Sequence, residues 1–285
     1  MKPESGERRP LSEIERSIIK AYRKELWSSF TRAVRDFRLV EESDRVAVGV
    51  SGGKDSLLLA KLMQELKKHG GVDFTLEFIA MDPGWNRANR EMLEDNCAHL
   101  NIPVTVFESE IFDVTAKLSP EYPCYLCAKM RRGALYSKAR ELGCNKLALA
   151  HHFDDVIETT MLNLLYCGTF KTMPPKLRSQ NFEGLELIRP LYYVKEHDIL
   201  RFTQNAGLKP MNCGCAVAAG KLASKRREVK ELIAELNGKI PGVDARIFNA
   251  AFNVDMFGTL GWKSGAERRT FLDEYDAEQP KDTLP

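Results

Sequence analysis

Apolar residues recur at every fourth position through Ile14, Ile18, Tyr22, Leu26, Phe30 and Val34, while Arg16, Lys20, Arg23, Lys24, Arg32 and Arg35 fall largely off that ladder. The spacing predicts one amphipathic helix over residues 11–38, with a solvated basic face or a face turned to RNA. Downstream the pattern changes. Short apolar runs at 45–50, 74–81, 104–107 and 146–150 predict buried strands, and helical runs at 57–66, 87–100, 130–142 and from His151-His152 through Leu165 alternate with them. Strand–helix alternation of this kind predicts a doubly wound α/β fold, a parallel sheet with helices on both faces. Residues 167–186, rich in Gly, Pro and basic residues, predict a loop. Helices are expected at 195–205, 224–236 and 244–253. The chain thus divides into an N-terminal helix (1–40), an α/β domain (41–212), a helical extension (213–264) and a flexible tail (265–285). The tail assignment rests on six acids, three basic residues and two prolines from Glu267 onward.

Charge narrows the function. Among 285 residues, 42 Lys and Arg oppose 40 Asp and Glu, a formal +2. That balance excludes a protein that coats nucleic acid by charge alone and leaves local basic faces open. No apolar run is long enough to span a membrane. The first 17 residues lack an apolar signal core, so a cytoplasmic location is expected. Seven cysteines, at 97, 124, 127, 144, 167, 213 and 215, make an odd number in such a chain. Reduced, metal-binding or catalytic thiols are then expected over a disulfide framework.

The first predicted strand runs into Ser51-Gly52-Gly53-Lys54-Asp55-Ser56 and then a helix. Such a turn aims backbone N–H groups at an anion. Gly52 and Gly53 permit close approach of phosphate to the main chain. Lys54 adds a point charge, Ser51 and Ser56 add hydroxyls, and Asp55 is suited to orient Lys54 or hold Mg²⁺. A Walker A loop is excluded, because Val48 and Asp55 stand where it needs Gly and Ser or Thr. The hexapeptide instead resembles the PP-loop of the N-type ATP pyrophosphatases, whose pattern is SGGxDS. The resemblance implies that ATP is held for attack of a substrate oxygen on its α-phosphorus, giving an adenylated substrate and pyrophosphate.

Two more segments fall at the carboxyl edge of the predicted sheet, where open α/β folds bind ligands. Asp82 ends the second strand, at the edge that superfamily members use for adenine and ribose. His151 and His152 precede Asp154 and Asp155, a pair of acids suited to carry Mg²⁺, to act as a base, or simply to cap a helix.

Cys124 and Cys127 form a C-x-x-C, and Cys213 and Cys215 a distal C-x-C. Thiolates suit Zn²⁺ or an iron–sulfur cluster, and four of them complete a zinc site. Pro123 before Cys124 suggests that the C-x-x-C lies in a loop and does not open a helix, unlike a thioredoxin-type redox pair. Cys97 and Cys144 fall in apolar patterns and read as packing residues.

The segments PCYLCAKMRRGALY, LALAHHFDD, GTFKTMPPKL and IRPLYYVKEHDI together resemble the tRNA 2-thiocytidine synthetase family, in the same order and over about residues 37–254. The resemblance implies an ATP-dependent tRNA sulfurtransferase with a [4Fe–4S] cluster on three cysteines, acting on a cytidine, with position 32 as target. Carried over, Cys124 and Cys127 are ligands, and the third is Cys213 or Cys215, because this chain has C-x-C where the family has C-x-x-C. Zn²⁺ at all four remains the alternative. Arg131, beside the C-x-x-C, is a catalytic candidate alongside Lys54, Asp55, Asp154 and Asp155. Basic groups at Lys129, Arg131 and Arg132, at Lys171, Lys176 and Arg178, and at Lys221, Lys225, Arg226, Arg227 and Lys230 are suited to RNA phosphates. The partners implied are tRNA and a sulfur donor, either a cysteine desulfurase or inorganic sulfide; the sequence leaves a homodimer open. A different adenylating enzyme on the same scaffold, or an ATP- and RNA-binding module without catalysis, are the rival readings.

Overall fold

The computed structural model describes residues 8–109, 123–211 and 222–275. Its first strand, β1 (Arg45–Gly49), is central because Val46, Ala47 and Val48 are wholly buried. A strand apolar on both faces needs cover on both, the condition of a parallel sheet between helices. On one side β1 pairs with β2 (Thr75–Asp82) and then β3 (Val104–Glu108); on the other it pairs with β4 (Lys146–Ala148). Beyond β4 come β6 (Glu186–Ile188), parallel, and β5 (Lys176–Arg178), antiparallel. The sheet order is β3-β2-β1-β4-β6-β5. The helices of the α/β part are α3 (Lys54–His69), α4 (Arg87–His99), α5 (Pro123–Glu141), α6 (Phe153–Cys167) and α7 (Glu196–Asn205).

Four expectations need correction. The predicted loop at 167–186 contains β5 and ends at β6; three-residue strands are too short to show a period. The helix expected from residue 130 begins at Pro123, so Cys124 opens a helix. Proline is favoured in a first helical turn, where its missing N–H costs nothing. The predicted tail opens with β8 (Glu267–Thr270), which pairs with β7 (Gly261–Ser264) at the end of the predicted helical extension, and α10 (Phe271–Tyr275) follows; residues 276–285 lie outside the described residues.

The N-terminal ladder is the fourth. It folds as α1 (Leu11–Ile19), a π-helical stretch (Arg23–Ser28) and α2 (Ser29–Asp36). In an ideal α-helix a strict four-residue repeat drifts about 40° per step, so its last members would turn away from the core. The wider π turn takes up the drift, and all six ladder residues stay buried. Lys61 on α3, 1 % exposed at its side chain, reaches Glu15 on α1 at 2.7 Å and fastens this collar to the α/β core. Helices α8 (Leu222–Lys239) and α9 (Val243–Ala250) pack against α6 through Val229, Ile233, Phe248 and Phe153.

Candidate active site at the carboxyl edge of the sheet

β1 stops at Gly49, and the chain turns through Ser51-Gly52-Gly53 into the first turn of α3. Gly52 has φ +80°, in the left-handed region, and a Cβ there would lie 2.3 Å from the Met211 sulfur. Only glycine meets both conditions. The Ser56 hydroxyl donates to the Gly53 carbonyl at 3.0 Å and accepts from the Ser51 N–H at 3.1 Å, closing the turn. The N-terminus of α3 therefore faces out of a preformed glycine turn, the arrangement that takes phosphate.

Lys54 Nζ stands 3.1 Å from both Asp55 Oδ2 and Glu196 Oε1. Burial alone lowers an ammonium's pKa, but Asp55 and Glu196 outweigh it and hold Lys54 above its ordinary value. Glu196, first residue of α7, also pairs with Lys230 of α8. Its backbone N–H donates to Asp154 Oδ2 at 2.6 Å. Burial tends to raise the Glu196 carboxyl; Lys230 and Lys54 bring it below the usual range.

At the end of β4 the two histidines diverge. His152 faces acids: Nε2 lies 3.8 Å from Asp55 Oδ1 and 3.5 Å from Asp155 Oδ2, and Nδ1 lies 3.6 Å from Asp154 Oδ2. Burial works against its charge, but these carboxylates raise its pKa. His151 is pushed down to about 4, by burial and then by the positive charge of Arg189, against the pull of Asp155. It is neutral at pH 7. Asp155 has two employments: Oδ2 accepts the His152 N–H at 3.0 Å, capping α6, and Oδ1 stands 3.2 Å from Arg226 Nη2. Arg226 Nε also donates to Glu158 at 2.7 Å. Burial raises the Glu158 carboxyl, and Arg226 only partly offsets it.

These groups line a cavity of about 410 Å³ bounded by Lys54, Asp55, His152, Asp155, Glu158, Glu196, Arg226, Arg227 and Lys230. Asp55 Oδ1 and His152 Nδ1 are buried there without hydrogen-bond partners. Such atoms are costly unless a ligand completes them. A larger cavity, about 540 Å³, lies between α2, α7 and α9 and is lined by Phe153, Tyr193, Phe248 and Phe252. It holds none of the predicted site residues and no phosphate loop, so the smaller cavity is the candidate site.

Asp82 is placed differently. Its carboxylate accepts from the N–H groups of Gly84 and Trp85 and from Arg90 Nη1, at 2.9, 2.6 and 3.0 Å. Asp82 stands at the same sheet edge as the PP-loop, on the β2 side. The sequence missed Glu196, Glu158, Arg226 and Lys230 as parts of the carboxylate site, though the last two stood in a basic cluster read for RNA. The run Lys195-Glu196 beside a predicted helix start was their faint signal.

Of the metal candidates, Cys124 and Cys127 stand one turn apart along α5; their side chains, and the whole of Cys213 and Cys215, lie outside the described residues. With Cys124 opening a helix, loop placement no longer separates the C-x-x-C from a redox pair. The donor set, four thiols, suits an iron–sulfur cluster or zinc. Among the described residues no three His, Cys, Asp or Glu side chains are grouped to hold a metal ion alone. Cys97 and Cys144 are buried as expected, their thiols pushed up to about 12 and about 11 by burial, and Cys167 is exposed. No helix among the described residues is long and apolar enough to cross a membrane.

Residues 23–212 match the PP-loop domain family. A tRNA-cytidine(32) 2-sulfurtransferase of Anaeromyxobacter dehalogenans is 37% identical over 233 residues, 81% of this chain and 79% of that protein. One from Pelobacter propionicus is 40% identical over 226 residues, 78% of this chain and 83% of that protein. The U34-tRNA thiolase NcsA of Methanococcus maripaludis, solved with its [4Fe-4S] cluster, superposes with a TM-score of 0.63 at 24% identity, over 79% of this chain and 77% of that one, and shares its fold. A PP-loop domain over most of its length, and relatives of one name matched along four-fifths of the chain, make this protein a member of the tRNA-cytidine(32) 2-sulfurtransferase family.

Proposed function

We propose that this chain thiolates cytidine 32 of tRNA in an ATP-dependent reaction. The observation that carries the reading is the glycine turn at Ser51–Ser56, with Lys54 poised over it, opening on the cavity of Asp55, His152 and Asp155. The triphosphate of ATP lies on the N–H groups of the turn, and Lys54 exchanges its hold on Glu196 for phosphate oxygen. Asp55 Oδ1, buried and lacking a partner, suits Mg²⁺, which takes one or two carboxylates and completes its shell with phosphate and water. The C2 oxygen of the cytidine forms a bond to the α-phosphorus as the bond to pyrophosphate breaks. Adenylation is needed because a carbonyl oxygen is a poor leaving group; sulfur then takes its place at C2 and AMP departs. Positive charge fixed before reaction stabilises the charge that develops on the phosphates.

When bound on Cys124, Cys127 and Cys213 or Cys215, a [4Fe–4S] cluster supplies the position that holds the sulfur to be transferred. The sulfur comes from a cysteine desulfurase or inorganic sulfide. Arg131 lies one turn beyond Cys127 on α5, where its positive charge is suited to the phosphates of the substrate. Cys124→Ala and Cys127→Ala are expected to lose bound iron and keep ATP affinity, by metal analysis of anaerobic protein; full iron and sulfide in either variant removes the C-x-x-C from the ligand set, and zinc in the wild type favours the structural-metal alternative. The deciding experiment is nucleoside analysis of tRNA from cells lacking the protein. Loss of 2-thiocytidine is expected; an unchanged level overturns the reading.

A further inference from the structure

The cavity of about 540 Å³ between α2, α7 and α9 has no part in the chemistry above, yet its walls are specific. Ser29, Arg32 and Asp36 recur along α2 at helical spacing and form one wall, which Lys24 and Glu25 extend from the π-helical stretch. The floor is aromatic. Phe153 and Phe248 are buried and stack with centroids 4.7 Å apart; Tyr193 lies 5.8 Å from Phe248, and Phe252, 52% exposed, lies 5.5 Å from it. Charge on the walls sorts in one direction. Glu25 and Asp198 are held by Arg201 at 3.6 and 3.7 Å, and Asp36 by Arg35 at 3.1 Å. Lys195 is held by Asp244. Arg32 and Lys24, both exposed, pair with no carboxylate among the described residues; Arg32 lies over the Tyr193 ring, 4.5 Å from its centroid. Rings below and unspent cations at the rim are what single-stranded nucleic acid requires, a surface for a base and a charge for its phosphate.

Two helix starts place this cavity beside the candidate active site. At the start of α6, His152 and Asp155 line the smaller cavity and Phe153 the larger; at the start of α7, Glu196 lines the smaller and Lys195 and Asp198 the larger. Consecutive Cα atoms lie about 3.8 Å apart, so the two cavities are neighbours on the scale of one nucleotide.

We infer that the aromatic cavity holds an unstacked base of the tRNA, the one next in the chain to the target cytidine. The base lies against Phe252 and the Phe248 floor, and Arg32, with Lys24, meets its phosphate. Holding the neighbour keeps the strand splayed, so that the cytidine itself can enter the smaller cavity, and the rings on which the base rests replace the stacking it gives up in the RNA. The inference rests on the reading that tRNA is the substrate.

The test measures affinity of the full chain, purified anaerobically, for ATP and for a tRNA transcript carrying cytidine 32. Phe252→Ala is expected to weaken the transcript by about 5- to 100-fold, the order for removing a ring on which a base stacks, and to leave its salt dependence unchanged. Arg32→Gln is expected to weaken it less and to lower the slope of log K against log salt by about one, the mark of one lost phosphate contact. ATP affinity should hold in both. Transcripts with an abasic site just before or just after cytidine 32 identify the base: one of them should bind the wild type worse by the Phe252→Ala factor and lose nothing further in that variant. Both side chains are exposed, and Arg32→Gln carries the test if Phe252→Ala fails to fold. Variants that bind the transcript as the wild type does overturn the inference, as do losses from Phe252→Ala and from each abasic site that simply multiply. A fall in ATP affinity gives the cavity to the nucleotide and overturns it too. A wild type that binds no tRNA overturns the tRNA reading beneath it.

Discussion

Asp82 and Asp55 stand at the same sheet edge, on the β2 and β1 sides, and their carboxylates are treated in opposite ways. Asp82 accepts from two backbone N–H groups and Arg90. Those bonds hold its pKa below the usual range in spite of burial, and they shape the turn into α4. Asp55 spends Oδ2 on Lys54 and leaves Oδ1 buried without a hydrogen bond, 3.8 Å from His152. The first carboxylate is complete with its own chain. The second is complete only with a ligand. Across the edge, unused donors and acceptors gather toward β4 and β6, in His151, His152 and Arg189, so the half of the edge proposed to bind is the half whose polar atoms are least satisfied among the described residues.

The comparison breaks first at Lys54. Lys54→Ala removes the mobile charge of the ligand-dependent half, and tRNA-dependent pyrophosphate release is expected to fall by at least about 100-fold. The unfolding midpoint in denaturant should hardly move; release at the wild-type rate would take Lys54 out of the site.

A sharper contrast pairs two conservative changes. Asp155→Asn is expected to cut pyrophosphate release about 10- to 100-fold, as changes to groups around a metal–ligand set do, with a modest effect on stability. Asp82→Asn is expected to do the reverse, costing about 1–3 kcal/mol in urea unfolding while release stays within about threefold. If Asp82→Asn proves the more damaging to release, the β2 side belongs to the binding half as well.

The smallest effect is one of pH. The folded pKa of His152 is raised by its three carboxylates, so its charge stabilises the fold fully below the unfolded value of about 6.5 and ceases to do so as pH rises through the folded value. The stability difference between wild type and His152→Gln should therefore be largest near pH 5 and shrink toward pH 9. A difference that grows with pH would mean that His152 is held neutral.

How much of this was legible beforehand follows from distance along the chain. Ser51–Ser56 and His152–Asp155 were readable because each is a local run whose meaning depends on its neighbours in sequence. Glu196, Arg226 and Arg189 gain theirs only when α7, α8 and β6 reach the edge of the sheet, and no local pattern announces that. The doubly wound sheet was legible in its long apolar strands. Its outer strands were not, since Lys176–Arg178 is brief and Lys176 and Arg178 lean on Glu186 across the pair, a cross-strand match visible only once β5 and β6 are aligned. Proline misled at residue 123, where it serves as an opening residue, and acidic composition misled at 267, where Arg269 over Trp262 helps hold a hairpin.

The Met211 N–H donates to the Gly52 carbonyl at 2.9 Å, and its side chain lies where a larger residue at 52 would have to be. Two residues farther along the chain is Cys213. The phosphate turn and Met211, the last described residue before the C-x-C, therefore share one hydrogen bond, and neither can shift at that point without the other registering it. Whatever free energy nucleotide contributes to residue 211 must be returned in kind by anything that later binds beyond it, since coupling between two ligands is reciprocal. A nucleotide titration carried out with and without metal on the distal cysteines would report that linkage as a single number, the same whichever ligand is added first.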